Sequence, residues 1–453
     1  MTEIHASAHP SAPDRRPTVL LNGRLVRWLI PVFLVLIALT MVSLHVHTST
    51  KVGPIDELQH IDYLYKSPSI VFPGDRVGQD ALREEACRGL DNPLRLPACS
   101  LTSIYNPNVF QEQGYNTAYI NTHLYYSITH VMAWAIQRVT GIKSLVTAGR
   151  LVGGLWLGGG LVIAYFAGLR LGAARLPLAG VLVITACIPA VVYPSSTVTP
   201  DAATFAIGAA ALWSVLWWEE RPQRRWPILV IITSFALCIK MTNLVVIVAL
   251  AAYIMLRMFN GITSREPIPP RHSARTWLTG GALLVGTAVV VAFGWTVAVN
   301  AMGDVSMLPM NRRYKQTSLD LTLLVRNLGN WIMPVSNNWT SERHPALVTV
   351  LQRLGPLLLS AGLIATALFG VTPSRARSIA WSWLMTALAG APAVIAAGYV
   401  LMSAYGPVPA RYGYALVPAM AAMTATGIRT RPARFVVMVL MAVSVLFSVA
   451  RLT

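Results

Sequence analysis

Residues 29–44 read LIPVFLVLIALTMVSL, a run without a charged side chain that approaches the roughly 20 residues a helix needs to cross a bilayer. Of the 453 residues in the chain, 55% are hydrophobic and only 12% are charged. Soluble domains carry about 25% charged residues, so this chain has too little charge to cover the surface of a water-soluble enzyme. Further apolar runs follow at Leu178–Val192, Ala202–Trp218, Leu278–Val299, Leu357–Gly370 and Phe435–Ala450. The sequence therefore predicts an all-α polytopic membrane protein.

The basic residues predict how the chain threads the membrane. The net charge is +18, and all but five of the 36 basic residues are arginines. Short arginine clusters favour the cytoplasmic side of a bilayer. These clusters lie at residues 170–175, 221–225, 257–275, 375–377 and 429–434. Placing them all in the cytoplasm predicts about 11 crossings and a cytoplasmic N-terminus.

This topology divides the chain into three parts. Residues 1–27 are expected to form a disordered cytoplasmic tail. Residues 28–259 form a first transmembrane module with a long external loop at 47–147. Residues 277–453 supply the C-terminal transmembrane helices, with a second external loop at 300–354.

Two segments depart from a simple crossing. In Ala118–Val139, polar residues interrupt an aromatic run, which predicts an amphipathic helix on the membrane surface rather than a span. The stretch Trp226–Phe259 carries the charged Lys240 in its middle. We therefore expect it to divide into two short helices around Cys238–Asn243.

The four cysteines do not form a disulfide scaffold. Cys187 and Cys238 lie in apolar runs and are expected to be inert packing residues. Cys87 and Cys99 share the first external loop, where an oxidising environment would allow a disulfide bond. The high pI of about 10.2 would suggest nucleic acid as a partner of a soluble chain. No zinc-finger spacing or RNA-binding motif accompanies it, so no nucleic-acid partner is expected.

An acidic sequence follows the first helix. Asp56 and Glu57 are adjacent, and His60 lies three residues beyond them. Such a group can supply a general base or bind a divalent cation such as Mg²⁺, Mn²⁺ or Ca²⁺. The alternative is structural, with Asp56 capping a helix that begins at Glu57.

Other ionisable residues border apolar runs on the same predicted outer side. Ionisable groups in or beside membrane helices are costly, and each is therefore a functional candidate. Asp201 follows Pro200 at a helix start, where an acidic residue also complements the helix dipole. Three cations also lie on the predicted outer side, against the preference of basic residues for the cytoplasm, namely Lys240, Arg150 and Arg411. Tyr412 directly follows Arg411. A phosphate is the natural partner of a guanidinium group.

These residues together resemble the GT-C superfamily of membrane glycosyltransferases, and most closely a largely uncharacterised actinobacterial branch. An acidic motif after the first helix corresponds to Asp56-Glu57. A Pro-Pro-Leu-Tyr-Tyr segment corresponds to residues 122–126, where His123, Tyr125 and Tyr126 stand but the proline pair is lost. An Arg that opens a membrane helix, a Ser-Ser-x-x-x-Pro-Asp corner, a Lys-x-Thr turn and a late Arg-Tyr pair correspond to Arg150, Ser195–Asp201, Lys240–Thr242 and Arg411-Tyr412.

The resemblance implies a GT-C-like catalytic module at 28–259 that transfers a sugar, with inversion, from a polyprenyl-phosphate-linked donor. The acceptor would be a glycan, lipid or protein of the cell envelope, on the outer face of a bacterial plasma membrane. Asp56 would be the general base, and Glu57 would orient the acceptor or help to hold a cation. Lys240, Arg411 and Arg150 would bind the lipid phosphate. The remaining cavity candidates are His60, His123, Tyr125, Tyr126, Asp201 and Tyr412.

The composition suggests an arabinofuranosyltransferase or a mannosyltransferase by analogy. A secondary transporter is the main alternative, although the chain lacks the two related halves common in transporters. An O-antigen ligase or polymerase would also use lipid-linked sugars, but its usual signature is a large external loop late in the chain. A non-catalytic scaffold is a further alternative.

Overall fold

The computed structural model describes residues 23–54, 56–90, 95–263, 272–303, 308, 313–316, 318–335, 346–370, 374–402 and 405–452. The protein is all-helical, with 77% of residues in helices. In the described ranges, β-structure is limited to isolated bridges, among them Val52 with Leu90 and Arg76 with Tyr115. Residues 1–22 of the disordered tail expected at 1–27 lie outside the described residues. The first helix begins at Gly23, inside the range expected for the tail.

The apolar runs of the sequence become the long helices of the structure. The helices are α1 Gly23–Thr48, α2 Glu57–Lys66, α3 Gln79–Arg88, α4 Leu124–Thr140, α5 Leu145–Arg170, α6 Arg175–Ala186, α7 Pro189–Ser195, α8 Asp201–Glu220, α9 Pro222–Arg225, α10 Pro227–Ile239, α11 Leu244–Thr263, α12 Ala274–Met302, α13 Leu321–Arg326, α14 Ala346–Phe369, α15 Arg375–Met402, α16 Val417–Gly427 and α17 Arg431–Leu452. Short 3₁₀ segments lie at Pro107–Val109, Gln111–Gly114, Thr117–Ile120, Met241–Asn243 and Ala410–Leu416.

Seven helical segments of the described chain are long and apolar enough to cross a membrane. The pair α6 and α7 would make an eighth, although it bends by 67° at the break before Pro189. Helix α10 has only 13 residues, which at 1.5 Å per residue span about 20 Å, less than a bilayer core. The structure therefore supports a polytopic helical protein, while the count of about eleven crossings stays a prediction.

Helix α5 packs closely against its neighbours because small residues line it. At Gly153, an added β-carbon would lie 1.8 Å from the carbonyl oxygen of Ser195. No side chain fits there, so the backbone of α5 directly touches the backbone of the last residue of α7. This contact fixes the position of the turn that leads into Asp201.

The predicted break in Trp226–Phe259 is confirmed, but only α10 is short, since α11 has 20 residues. Helix α10 ends at Ile239, Lys240 is in an extended conformation with φ −159° and ψ 127°, and α11 begins at Leu244. Near the other end of α11, Arg257 forms an ion pair with Glu219 at the end of α8. Helices α10 and α11 thus form a hairpin whose break lies near the opposite end of α8, beside Asp201.

The segment between α1 and α5 forms a small polar layer at the same end as Asp201. Helices α2 and α3 pack together, and the predicted disulfide between Cys87 and Cys99 is confirmed. Helix α4 buries Tyr125 and Tyr126 and exposes Trp134, and it is not among the candidate membrane spans. The expectation of an amphipathic surface helix in this region agrees with these observations.

Candidate functional site

A cavity of about 270 Å³ opens at the end of the bundle where α8 begins. Its walls come from the starts of α2 and α8, the 3₁₀ turn before α4, the break between α10 and α11, and the 3₁₀ segment before α16. Residues far apart in sequence therefore meet in one place. Seven of the residues singled out from the sequence line this cavity, namely Asp56, Glu57, His60, Asp201, Lys240, Arg411 and Tyr412.

Asp56 occupies the position before α2, but it does not cap that helix. Its side chain makes no capping hydrogen bond, and its backbone has φ 58° and ψ 7°, in the left-handed region. That conformation is uncommon for a residue other than glycine, although aspartate adopts it more readily than most, and such residues cluster at functional sites. The carboxylate lies 3.8 Å from the guanidinium of Arg411 across the cavity. The capping alternative is therefore not what the structure shows.

The surroundings of Asp56 make its carboxylate a better proton acceptor than an ordinary aspartate. Desolvation by the cavity walls raises the pKa of Asp56 above its ordinary value, while the charges of Arg411 and Lys240 oppose that rise. Because 51% of the side chain is exposed, a substrate can still reach the carboxylate. A carboxylate with a raised pKa is a better general base than an ordinary one.

A second acid–base pair forms the floor of the cavity. Asp201 is the first residue of α8, and its Oδ1 lies 2.5 Å from Nζ of Lys240. Lys240 reaches this position because α10 ends one residue before it and the backbone turns away from the helix axis. Both side chains are mostly buried, at 10% and 13% exposed. The pair is therefore strong, yet it remains open to the cavity.

Tyr412 joins the two cations of the site. Nζ of Lys240 lies 5.3 Å from the centre of its ring, and Cζ of Arg411 lies 5.6 Å from it. Cations within about 6 Å of an aromatic face are attracted by its quadrupole. Lys240 and Arg411 therefore converge on one cavity, as the sequence predicted, although 171 positions separate them.

His60 enters the cavity from the same helix end as Asp56. Its Nδ1 shares a 2.6 Å hydrogen bond with the hydroxyl of Tyr126, and the two rings are stacked. Burial lowers the pKa of His60 to about 3, and the charges of Lys240 and Arg411 push it in the same direction. The imidazole is thus neutral at physiological pH. The neutral ring can form a hydrogen bond with a substrate but contributes no positive charge to the cavity.

The structure corrects the roles expected for Glu57 and Arg150. Nε and Nη2 of Arg150 donate to the two oxygens of Glu57 at 2.9 and 2.7 Å. The backbone carbonyls of residues 49–51 accept the other hydrogen bonds of the guanidinium group. Arg150 does not line the cavity, and none of its donors remains for a phosphate. Arg150 is therefore part of the framework, not of a phosphate site.

Glu57 is equally occupied. Besides Arg150, its carboxylate accepts hydrogen bonds from the backbone amides of Gly53 and Val198, at 2.6 and 2.9 Å. The predicted cation site at Asp56 and Glu57 does not fit this arrangement, because both Glu57 oxygens are already bound. In the described part of the chain, no three His, Cys, Asp or Glu side chains group to hold a metal.

Three further expected residues lie behind the cavity. Tyr125 and Tyr126 are buried, and Tyr126 contacts the site through its hydrogen bond with His60. His123 precedes α4 and does not line the cavity. The neighbouring Thr122 hydroxyl donates a hydrogen bond to the carbonyl of Cys238, which ties this segment to the break that carries Lys240.

The sequence analysis missed several polar residues of the cavity wall. Tyr193 and Thr199 lie beside or within the corner at 195–201, and Asn121 precedes the segment with the tyrosine pair. Their positions next to recognised motifs could have indicated them. Tyr314 also lines the cavity, but no local pattern around it marks a functional residue.

Comparison of the chain with models of known protein families and with curated proteins finds no match.

Proposed function

We propose that the protein is an inverting membrane glycosyltransferase that uses a polyprenyl-phosphate-linked sugar as its donor. The observation that carries this proposal is the convergence of Asp56, Asp201, Lys240 and Arg411 on one cavity at one end of a bundle of membrane helices. Sugar transfer from a lipid phosphate needs a base on one side of the sugar and cations on the leaving phosphate. The cavity offers both.

The two cations provide a site for the donor phosphate. Arg411 presents a guanidinium fork, and Lys240 presents an ammonium group beside the same aromatic ring. Before the donor binds, these charges are balanced by Asp56 and Asp201. A phosphodiester that enters the cavity replaces those carboxylates as the partner of the cations. Burial strengthens this attraction relative to water.

Asp56 then acts as the general base. It accepts the proton of the acceptor hydroxyl while that oxygen attacks the anomeric carbon. The bond between the anomeric carbon and the phosphate oxygen breaks, and its electron pair stays on the phosphate. Lys240 and Arg411 stabilise the added negative charge. Attack from the face opposite the leaving phosphate inverts the configuration, and neutral His60 helps to hold the sugar or acceptor hydroxyls.

A lipid-linked donor suits this chain better than a nucleotide sugar. The cavity lies at the end of α8 and α11, which are candidate membrane spans, so a lipid phosphate at the bilayer surface is at the right depth. The sequence has no glycine-rich phosphate loop. We further propose that this end of the bundle faces the outside of a bacterial plasma membrane, where a cell-envelope acceptor is available.

The experiment uses purified full-length protein in vesicles with decaprenyl-phosphate-linked arabinose or mannose as probe donors. Sugar transfer, or donor hydrolysis when no acceptor is added, is the readout. We expect Asp56→Asn to lower turnover by about 100-fold or more, the usual loss when a general base is removed. Asp80→Asn is the matched control, because Asp80 is a 69% exposed carboxylate on α3 outside the cavity.

Two results would contradict the proposal. The first is wild-type protein that neither processes any of these donors nor binds decaprenyl phosphate. The second is an Asp56→Asn variant that keeps more than about a tenth of the wild-type rate. Uptake of a solute by the same vesicles without any sugar chemistry would instead favour the transporter alternative.

A further inference from the structure

A second charged region lies at the other end of α8, away from the cavity. Trp213 and Trp217 are one turn apart on this helix, and their rings stack with centres 5.4 Å apart and planes 15° apart. Cζ of Arg170, at the end of α5, lies 5.1 Å from the centre of the Trp213 ring. Cζ of Arg225, from α9, lies 4.4 Å from the Trp217 ring. Two stacked rings thus carry one cation each.

A single carboxylate holds these two cations together. Glu220 contacts Arg170 at 3.2 Å and Arg225 at 2.7 Å, through different oxygens. The preceding residue, Glu219, is fully buried and pairs instead with Arg257 and Arg375. Its charge is therefore not available to this surface.

Two further arginines have no carboxylate partner among the residues that the structure describes. Arg221 and Arg224 are exposed, and no ion pair joins either to an acidic side chain within the described residues. The arginine–tryptophan patch consists of Trp213, Trp217, Glu220 and the arginines at 170, 221, 224 and 225. Four arginines face one glutamate, so the patch carries a net charge of +3.

We propose that the arginine–tryptophan patch binds the headgroup of an anionic phospholipid. Helix α5 ends at Arg170 and α8 ends at Glu220, so the patch lies where membrane-spanning helices leave the hydrocarbon region. The half-buried indoles of Trp213 and Trp217 suit the boundary between acyl chains and headgroups. Exposed guanidinium groups bind a phosphodiester by paired hydrogen bonds.

A lipid fits this surface better than a free anion does. A free phosphate would use only the arginines, whereas a phospholipid also places its acyl chains against the indole rings. Trp226, which follows Arg225 and is 49% exposed, extends the aromatic surface. The patch lies at the opposite end of α8 from the cavity, so the inference does not depend on the proposed sugar transfer.

Native mass spectrometry of the detergent-purified full-length protein tests the inference, with phosphatidylglycerol and phosphatidylcholine as probes. We expect tighter binding of phosphatidylglycerol. The double variant R221Q/R224Q should weaken it about 30-fold, from roughly fivefold for each arginine at an anionic surface. The matched control R429Q/R431Q removes two exposed arginines at the start of α17, away from any patch residue in sequence, and should bind as the wild type does.

Three outcomes would overturn the inference. One is equal binding of phosphatidylglycerol by the wild type and R221Q/R224Q. Another is an equal loss in R429Q/R431Q, because binding would then follow total charge and not this patch. The third is displacement of the lipid by millimolar inorganic phosphate, which would identify a site for free anions.

Discussion

Replacement of Glu57 by glutamine should destabilise the protein strongly, because this carboxylate holds several segments together. It is fully buried and accepts hydrogen bonds from Arg150, Gly53 and Val198. In Glu57→Gln, the new NH₂ group takes the place of one acceptor oxygen and faces donors. The charge of Arg150 then has no buried partner. Breaking a buried pair in this way costs about 3–5 kcal/mol.

The apparent free energy of unfolding can be measured in mixed micelles, by raising the fraction of SDS and following tryptophan fluorescence. Arg150→Met should cost a similar amount, and the double variant Glu57→Gln/Arg150→Met should cost clearly less than the two single changes added together. The reasoning would be refuted if Glu57→Gln cost less than about 1 kcal/mol. If that stable variant also lost the proposed sugar transfer, Glu57 would orient the acceptor or help to hold a cation, as the sequence predicts.

Three other changes test separate parts of the site and its support. Arg411→Lys should weaken binding of decaprenyl phosphate about tenfold, since the paired hydrogen bonds of the guanidinium are lost, and titration with that lipid measures it. ¹⁵N NMR of labelled histidine should show His60 neutral from pH 8 down to pH 5, because its pKa is lowered to about 3. Burial raises the pKa of Glu85 from 4.5 to about 7, so ionisation destabilises the fold as pH rises through that window. Glu85→Gln should thus stabilise the protein by about 3 kcal/mol at pH 8 and little at pH 4, measured by unfolding at both pH values.

The helical membrane class could be predicted from sequence because hydrophobic runs are a local property. Each run reports directly that a helix of that length can be buried in lipid. The number of membrane crossings is harder to predict from the sequence. The bend before Pro189 depends on the packing of α6 and α7 against α5 and of α7 against α8, which no local pattern encodes.

The cations of the site were also predictable, and for a physical reason. An isolated Lys240 or Arg411 at a helix end is costly, so its presence alone indicates a partner. It is harder to assign different roles to two adjacent carboxylates from the sequence. Asp56 and Glu57 look equivalent in sequence, but the left-handed backbone of Asp56 turns its side chain to the cavity while Glu57 points into the protein. Which of two neighbouring carboxylates is free depends on the backbone and on a distant arginine.

The differences among the ion pairs of this fold explain how it can be both rigid and reactive. Glu57 and Arg150 are almost fully buried, with every oxygen and guanidinium group bonded, so no ligand can replace either partner without leaving a buried charge. The contact between Asp56 and Arg411 is much looser, at 3.8 Å with a half-exposed carboxylate. A phosphate can displace that carboxylate at little cost and leave it free to accept a proton. In the proposed sugar transfer, binding of the donor phosphate would in this way release the base that the transfer step requires.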